Sequence, residues 1–222
     1  MKPSYGMYLA IYCLILLVQP QRYYSWIPTI PIYPSNTEEV DVVRQWMERR
    51  QPSQESLFYQ TDPSIVYAFQ EHVPESILEL NRIITRVHVL VLIMGSKLLF
   101  NRARPAQMDP HLRPLESSTA QTPAYPSGHA FQAYYLAEVL AERYPEKTKR
   151  FRTIAQDCAD ARVYAGLHYP SDNERSRQML FPIDKYISII YNVVVSAWST
   201  DVYMCHVWYM EGWRLRLRSL GW

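Results

Sequence analysis

Three short clusters in the 222-residue chain hold side chains whose types and spacing suit the transfer of a phosphoryl group. The first is Lys97 with Arg104 and Pro105; the second is Pro126-Ser127-Gly128-His129; the third is Arg162 followed by His168 and Asp172. A phosphate ester brings negative charge and three equatorial oxygens that need donors. Lys97, Arg104 and Arg162 supply charge and, from the arginines, forked N–H pairs. Ser127 and the backbone N–H of Gly128 fall where a helix would begin, at its positive end, and a glycine there lets backbone approach a ligand closely. His168 can attack phosphorus in line with the leaving oxygen if Asp172 keeps a proton on its other ring nitrogen, which fixes the tautomer and steadies the intermediate. His129 is then left as the acid that protonates the leaving alcohol.

The elements that must position these groups read as helices punctuated by prolines. Ser35 and Glu38 form a capping box for a helix to about Arg50, and Asp62-Pro63 predicts a short helix to about His72. From Pro74 the apolar residues Ile77, Leu80, Ile83, Ile84, Val87, Leu90, Val91, Met94 and Leu98 keep helical period, which predicts one long helix with Lys97 in its last turns. Residues 101–125 form a long connection, a kind of segment that is more often functional than idle. Ser127 caps a helix through about Arg143, which ends at Tyr144-Pro145. A further helix runs from about Lys147 to Ala165, and Pro170 opens one with Asp172 in its first turn, to be broken or kinked at Pro182. Between Ile187 and Val195 periodicity decides neither helix nor strand.

Composition narrows the class. A hydrophobic fraction of 48% with 20% charged residues describes a packed domain, and 6 glycines against 16 prolines disfavour turn-rich sandwiches. The net charge of +2 excludes the basic footprint of a nucleic-acid binder. Cys13, Cys158 and Cys205 are spaced for neither zinc nor a disulfide framework. The 12-residue apolar run Met7–Val18 behind Lys2 has the length of an export signal, but residues 19–24 offer no small-residue cleavage site, so an uncleaved anchor and a docking helix stay open. The apolar stretches Val87–Phe100 and Tyr186–Trp198 are shorter than a spanning helix and read as core. The aromatic and basic end, from Trp208 to Trp222, reads as a packed amphipathic terminus, with contact to a membrane surface as the alternative.

The three stretches KLLFNRARP, PSGH and RVYAGLHYPSD resemble the tripartite signature of the type 2 phosphatidic acid phosphatase (PAP2) superfamily, which is shared by bacterial nonspecific acid phosphatases, lipid phosphatases and vanadium-dependent haloperoxidases. Every fixed residue of that signature is present and in order, and the similarity covers roughly residues 30–178. The resemblance implies an all-α, single-domain helical bundle over residues 26–180, preceded by a signal or anchor at 1–25 and followed by an extension at 181–222. It implies that Lys97, Arg104, Ser127, Gly128, His129 and Arg162 cradle phosphate, that His168 is the nucleophile and that Asp172 orients it. No metal or cofactor is expected. The nearest likeness is the secreted or periplasmic acid phosphatase, acting on a small-molecule or lipid phosphate ester, with self-association open. A vanadate-dependent haloperoxidase and a membrane-associated lipid phosphatase are the alternatives. The chain departs from the family after Asp172, where Asn173, Glu174 and Arg175 lead to Pro182 in place of one continuous helix.

Outside the signature, Arg102 is expected to be a solvated surface charge, with a supporting phosphate contact as the alternative. His72, His88, His111 and His206 match no pattern and read as structural.

Overall fold

The computed structural model describes residues 34–180, so expectations for 1–25, for the proline-rich lead-in and for 181–222, Pro182 included, lie outside the described residues. Among the described residues there are eight α-helices and no strand: α1 (Asn36–Glu48), α2 (Pro52–Thr61), α3 (Ile77–Ile84), α4 (Val87–Phe100), α5 (Pro105–Met108), α6 (Gly128–Arg143), α7 (Thr148–Tyr164) and α8 (Pro170–Gln178). The all-α bundle expected from the sequence is the architecture observed. Its centre is α6, which buries residues on nearly every side, from Ala130 and Phe131 to Leu140, and packs most extensively on α7. In α7 the buried stripe Phe151, Ala155, Cys158 continues at helical spacing to Arg162, so the apolar period itself carries a guanidinium into the interior. The same holds in α4, where Val89 and Ile93 lead to buried Lys97 one turn later.

α8 reads PSDNERSRQ and has almost no apolar residue, yet it buries Asp172, Asn173 and Ser176. What docks it is hydrogen bonding: Asn173 Nδ2 donates to the Ala159 carbonyl at 2.7 Å, Ser176 Oγ to the Ser127 carbonyl at 2.8 Å, and the Ser127 N–H to the Asp172 carbonyl at 3.2 Å. A polar helix is thereby fixed across the start of α6 and the end of α7.

Three local expectations need correction, and one helix was not foreseen. Ser35 precedes α1 but its hydroxyl caps no backbone N–H, bonding instead to the Thr37 hydroxyl at 2.7 Å. Asp62 does not open a helix: it ends α2, and Ser64 caps the short 3-10 turns Ile65–Ala68 and Gln70–His72. α2 carries no apolar period, burying only Phe58 and Thr61, and rests on Pro52 in its first turn and a Gln51 N–H bond to Gln54 Oε1 at 2.6 Å. The long helix from Pro74 is two, α3 and α4, bent by 51°. Thr85 turns its hydroxyl back to the Asn81 carbonyl at 2.7 Å and Arg86 is extended at ψ 143°, while both halves bury their apolar faces, which is why the periodicity runs unbroken through the bend. No single helix among the described residues is long and apolar enough to cross a membrane; α3 and α4 reach that length and apolarity only together.

Candidate active site

The turn between α7 and α8 aims His168. Gly166 has φ 75°, and a Cβ there would lie 2.6 Å from Met47 Sδ, so this turn requires glycine. His168 is buried, with Nδ1 3.1 Å from Asp172 Oδ2. The same Oδ2 accepts the Tyr169 N–H at 2.9 Å, and Oδ1 accepts Arg102 Nη1 at 2.7 Å. Asp172 is an acceptor throughout, which puts the proton on His168 Nδ1 and the lone pair on Nε2, where Arg104 Nη1 stands at 3.3 Å. Burial pushes the Asp172 carboxyl up, while Arg102 and the Tyr169 amide pull it back. Burial, followed by the charges of Arg104, Lys97 and Arg162, holds His168 well below the ordinary imidazole range. The result is a neutral, oriented imidazole with a nucleophilic nitrogen.

Around it stand three buried cations. Lys97 Nζ donates to the Pro123 carbonyl, and burial first, then Arg104, holds its ammonium well below the usual lysine range. Arg104 donates from Nε to the Thr122 carbonyl and from Nη1 to the Leu167 carbonyl, both at 2.8 Å. Arg162 is 1% exposed, lies over the Phe58 ring and pairs through Nη2 with Asp62 Oδ1 at 2.8 Å. Its Nε and Nη1 are buried without a partner among the described residues. They are buried N–H donors on two sides of the guanidinium, each able to donate to an anion.

At the start of α6, Ser127 Oγ accepts the Ala130 N–H at 3.4 Å and so serves as helix cap. A Cβ on Gly128 would come 3.3 Å from Ile93 Cγ2 and 3.7 Å from Lys97 Cε, so the constraint visible at this glycine is packing against α4. His129 Nε2 lies 2.9 Å from the Asp62 carbonyl oxygen. A carbonyl can only accept, so the proton is on Nε2 and the lone pair on Nδ1. Burial and then the Arg162 charge push the ring down to about 3, so His129 is neutral near pH 7.

The eight residues singled out for chemistry, spread over 76 positions from Lys97 to Asp172, thus converge on one end of the bundle. Residues 78–176 match the model of the PAP2 superfamily. The segment from α3 to α8 is thus similar to the PAP2 superfamily. That similarity implies phosphatase-type phosphoesterase activity. No curated protein matches the chain. Among the described residues, no three His, Cys, Asp or Glu side chains gather as a metal site would need.

Three residues complete this candidate site that sequence reading misplaced or missed. Arg102 is no surface charge: it is 1% exposed, and its guanidinium lies 3.9 Å from the Tyr169 ring centroid. It donates to Asn36 Oδ1 at 2.8 Å, Ser171 Oγ at 2.6 Å, Asp172 Oδ1 at 2.7 Å and Glu39 Oε2 at 2.6 Å. It therefore acts on Asp172 rather than on phosphate. Glu39, in α1, also accepts the Ser171 N–H at 3.1 Å and the Ser171 hydroxyl. Asp62 holds Arg162 and His129. Neither acid belongs to a motif, and both lie outside the family-matched span. The one available hint was two carboxylates among polar helical residues, which is what a solvated face also looks like.

Proposed function

We propose that the chain is a metal-independent phosphomonoesterase of the acid phosphatase type that works through a phosphohistidine on His168. The observation that carries this reading is the orientation of His168: Nδ1–H on Asp172 and the Nε2 lone pair facing the Arg104 guanidinium. A phosphoryl group between them would meet a nucleophile on one side and donors on the other. The unpartnered Nε and Nη1 of Arg162 support the same reading, and the cluster of Lys97, Arg104 and Arg162 around His168 favours an anion and disfavours a divalent cation.

The steps follow from the two tautomers. A monoester whose second ionisation lies near pH 6, as for phosphoserine, enters on the acid side as a monoanion and hands its proton to His129 Nδ1. His168 Nε2 forms a bond to phosphorus as the P–O bond to the alcohol breaks; the leaving oxygen takes the proton from His129. Water then attacks the phosphohistidine and gives its proton to His129 Nδ1. The N–P bond breaks, its electron pair returns to His168 Nε2, and phosphate takes the proton back from His129 Nδ1 and leaves as the monoanion, so both histidines end as they began. Asp172 holds the Nδ1 proton throughout and stabilises the positive ring. The alcohol would lie in a cleft of about 310 Å³ bordered by Arg104, Gln107, Leu115, Ser117 and Leu167, a volume suited to a small-molecule ester. Export from the cytoplasm belongs to this reading and rests on Met7–Val18.

The test is rapid quench with labelled aryl phosphate, with an alkaline quench to preserve the phosphohistidine. The expected result is a burst of labelled protein that disappears in His168→Ala; a burst that survives in that variant would overturn the assignment.

A further inference from the structure

Asp62 makes more bonds to the site than any motif explains. As the last residue of the α2 turn, its N–H donates to the Phe58 carbonyl at 2.8 Å. Its Oδ1 accepts Arg162 Nη2 at 2.8 Å, Ser117 Oγ at 2.6 Å and Thr119 Oγ1 at 3.1 Å. Its carbonyl accepts His129 Nε2–H at 2.9 Å. One residue thus grips, through different atoms, two groups that the phosphatase reading places on opposite tasks. We infer that Asp62 is a positioning residue that fixes the rotation of the Arg162 guanidinium, with Nε and Nη1 left to donate to phosphoryl oxygens, and turns the Nδ1 lone pair of His129 toward the leaving oxygen. The inference rests on the proposed phosphomonoesterase reading.

Electrostatics alone would argue against an acid here. A carboxylate beside an anion site weakens binding of that anion, so its presence needs a compensating gain in geometry. The gain is specific: Asp62 engages Arg162 at Nη2 alone, which fixes the plane and leaves the N–H groups of Nε and Nη1 to donate elsewhere. Ser117 and Thr119, from the long connection between α5 and α6, lock the carboxylate, and a locked carboxylate fixes the carbonyl of the same residue. That carbonyl in turn decides which nitrogen of His129 is free to move a proton. Charge and geometry therefore make opposite predictions for removing the acid.

The experiment is Asp62→Asn, measured three ways. Binding of inorganic phosphate by calorimetry should stay within about threefold of wild type or tighten, because a repelling charge is gone, while kcat should fall about 10–100-fold, because binding is kept and alignment is lost. The loss should be larger for an alkyl phosphate than for an aryl phosphate with a good leaving group, since only the former depends heavily on the proton from His129. The double variant Ser117→Ala with Thr119→Val keeps the charge and the Arg162 pair, and should show the same leaving-group split at smaller size even if Asp62→Asn fails to fold. Ring-nitrogen NMR of the wild-type protein, with His129→Gln for assignment, should show His129 protonated at Nε2. Wild-type kcat on both ester classes in Asp62→Asn, equal losses on both, or an Nδ1–H tautomer in the wild type would each overturn the inference. If the wild-type protein hydrolyses neither ester, the phosphatase reading fails, and the tautomer alone then decides the claim for Asp62.

Discussion

Arg102→Lys is the substitution that best tests how the nucleophile is held. The lysine keeps the charge but offers three donors on one nitrogen, where Arg102 makes four short bonds from three nitrogens, to Asn36, Ser171, Asp172 and Glu39, and stacks on Tyr169. At least one charge-assisted bond and the stacking are lost, and the remaining bonds cannot all keep good geometry. At about 1.5–3 kcal/mol for a hydrogen bond to a charged group and about 1 kcal/mol for the stacking, the variant should be less stable by about 3 kcal/mol. Arg102→Met should be worse, because Glu39 and Asp172 would lie buried against each other with no cation between them, the situation in which breaking a buried pair costs about 3–5 kcal/mol. Asp172 would also lose the donor on its Oδ1, so kcat should drop about tenfold or more in Arg102→Lys with little change in KM, since Arg102 touches no substrate. Urea unfolding followed by far-ultraviolet circular dichroism gives the stability change, and steady-state kinetics on an aryl phosphate gives the rest. Stability within about 0.5 kcal/mol of wild type would mean that Arg102 behaves as an ordinary surface charge, and the account of Asp172 given above would be wrong.

Three further outcomes follow from the same geometry. Arg104→Lys and Arg162→Lys keep charge but lose the fork, so each should lower kcat/KM about tenfold or more, measured on an aryl phosphate. Activity should survive EDTA and be inhibited competitively by vanadate, because Lys97, Arg104 and Arg162 already supply the positive charge; loss on chelation with recovery on adding magnesium or zinc would refute the proposed chemistry. Stability should fall with acid: the folded protein holds His129 down to about 3, against about 6.5 for a free imidazole, so below pH 6.5 the unfolded chain takes up a proton that the folded one refuses. The stabilisation is complete above pH 6.5 and is lost toward pH 3, by at most about 5 kcal/mol and less in practice because the ring is partly exposed; thermal melts across that window should be flatter in His129→Gln.

What the sequence disclosed and what it withheld divide along a physical line. Helices whose apolar stripe faces the core were legible: α6 and α7 begin and end within a residue or two of the expected bounds, Ser127 to Tyr144-Pro145 and Lys147 to Ala165. The residues assigned to the chemistry were legible from their types and their spacing within three short clusters, not from the helices that carry them. α2 was not, since a helix that buries only Phe58 and Thr61 has no period to read. The break at Thr85-Arg86 was hidden for the opposite reason: both halves bury the same kind of stripe. Arg102 was misread because a charged residue two positions from Arg104 is ordinarily exposed, and its burial depends on Glu39, 63 positions away, reaching it in space.

The distribution of counter-charge explains why the site needs residues from outside the matched span. Arg102, Lys97, Arg104 and Arg162 are all nearly buried, an arrangement that desolvation alone would forbid. The fold treats them in two ways. Arg102, which serves only to hold Asp172, is neutralised outright by Glu39 and Asp172. Lys97 and Arg104 are seated instead on peptide carbonyls, those of Pro123, Thr122 and Leu167, which fix direction without cancelling charge. Arg162 is intermediate, with Nη2 given to Asp62 and Nε and Nη1 left for an anion. Full neutralisation of these three would leave no drive to bind phosphate, and none at all would leave the guanidinium of Arg162 and the ring of His129 free to turn. Acids on α1 and at the end of α2 can supply counter-charge from behind the cations, whereas the motif segments themselves occupy the front. The N-terminal helices are therefore part of the site's electrostatics, although no atom of theirs needs to touch the reacting phosphorus.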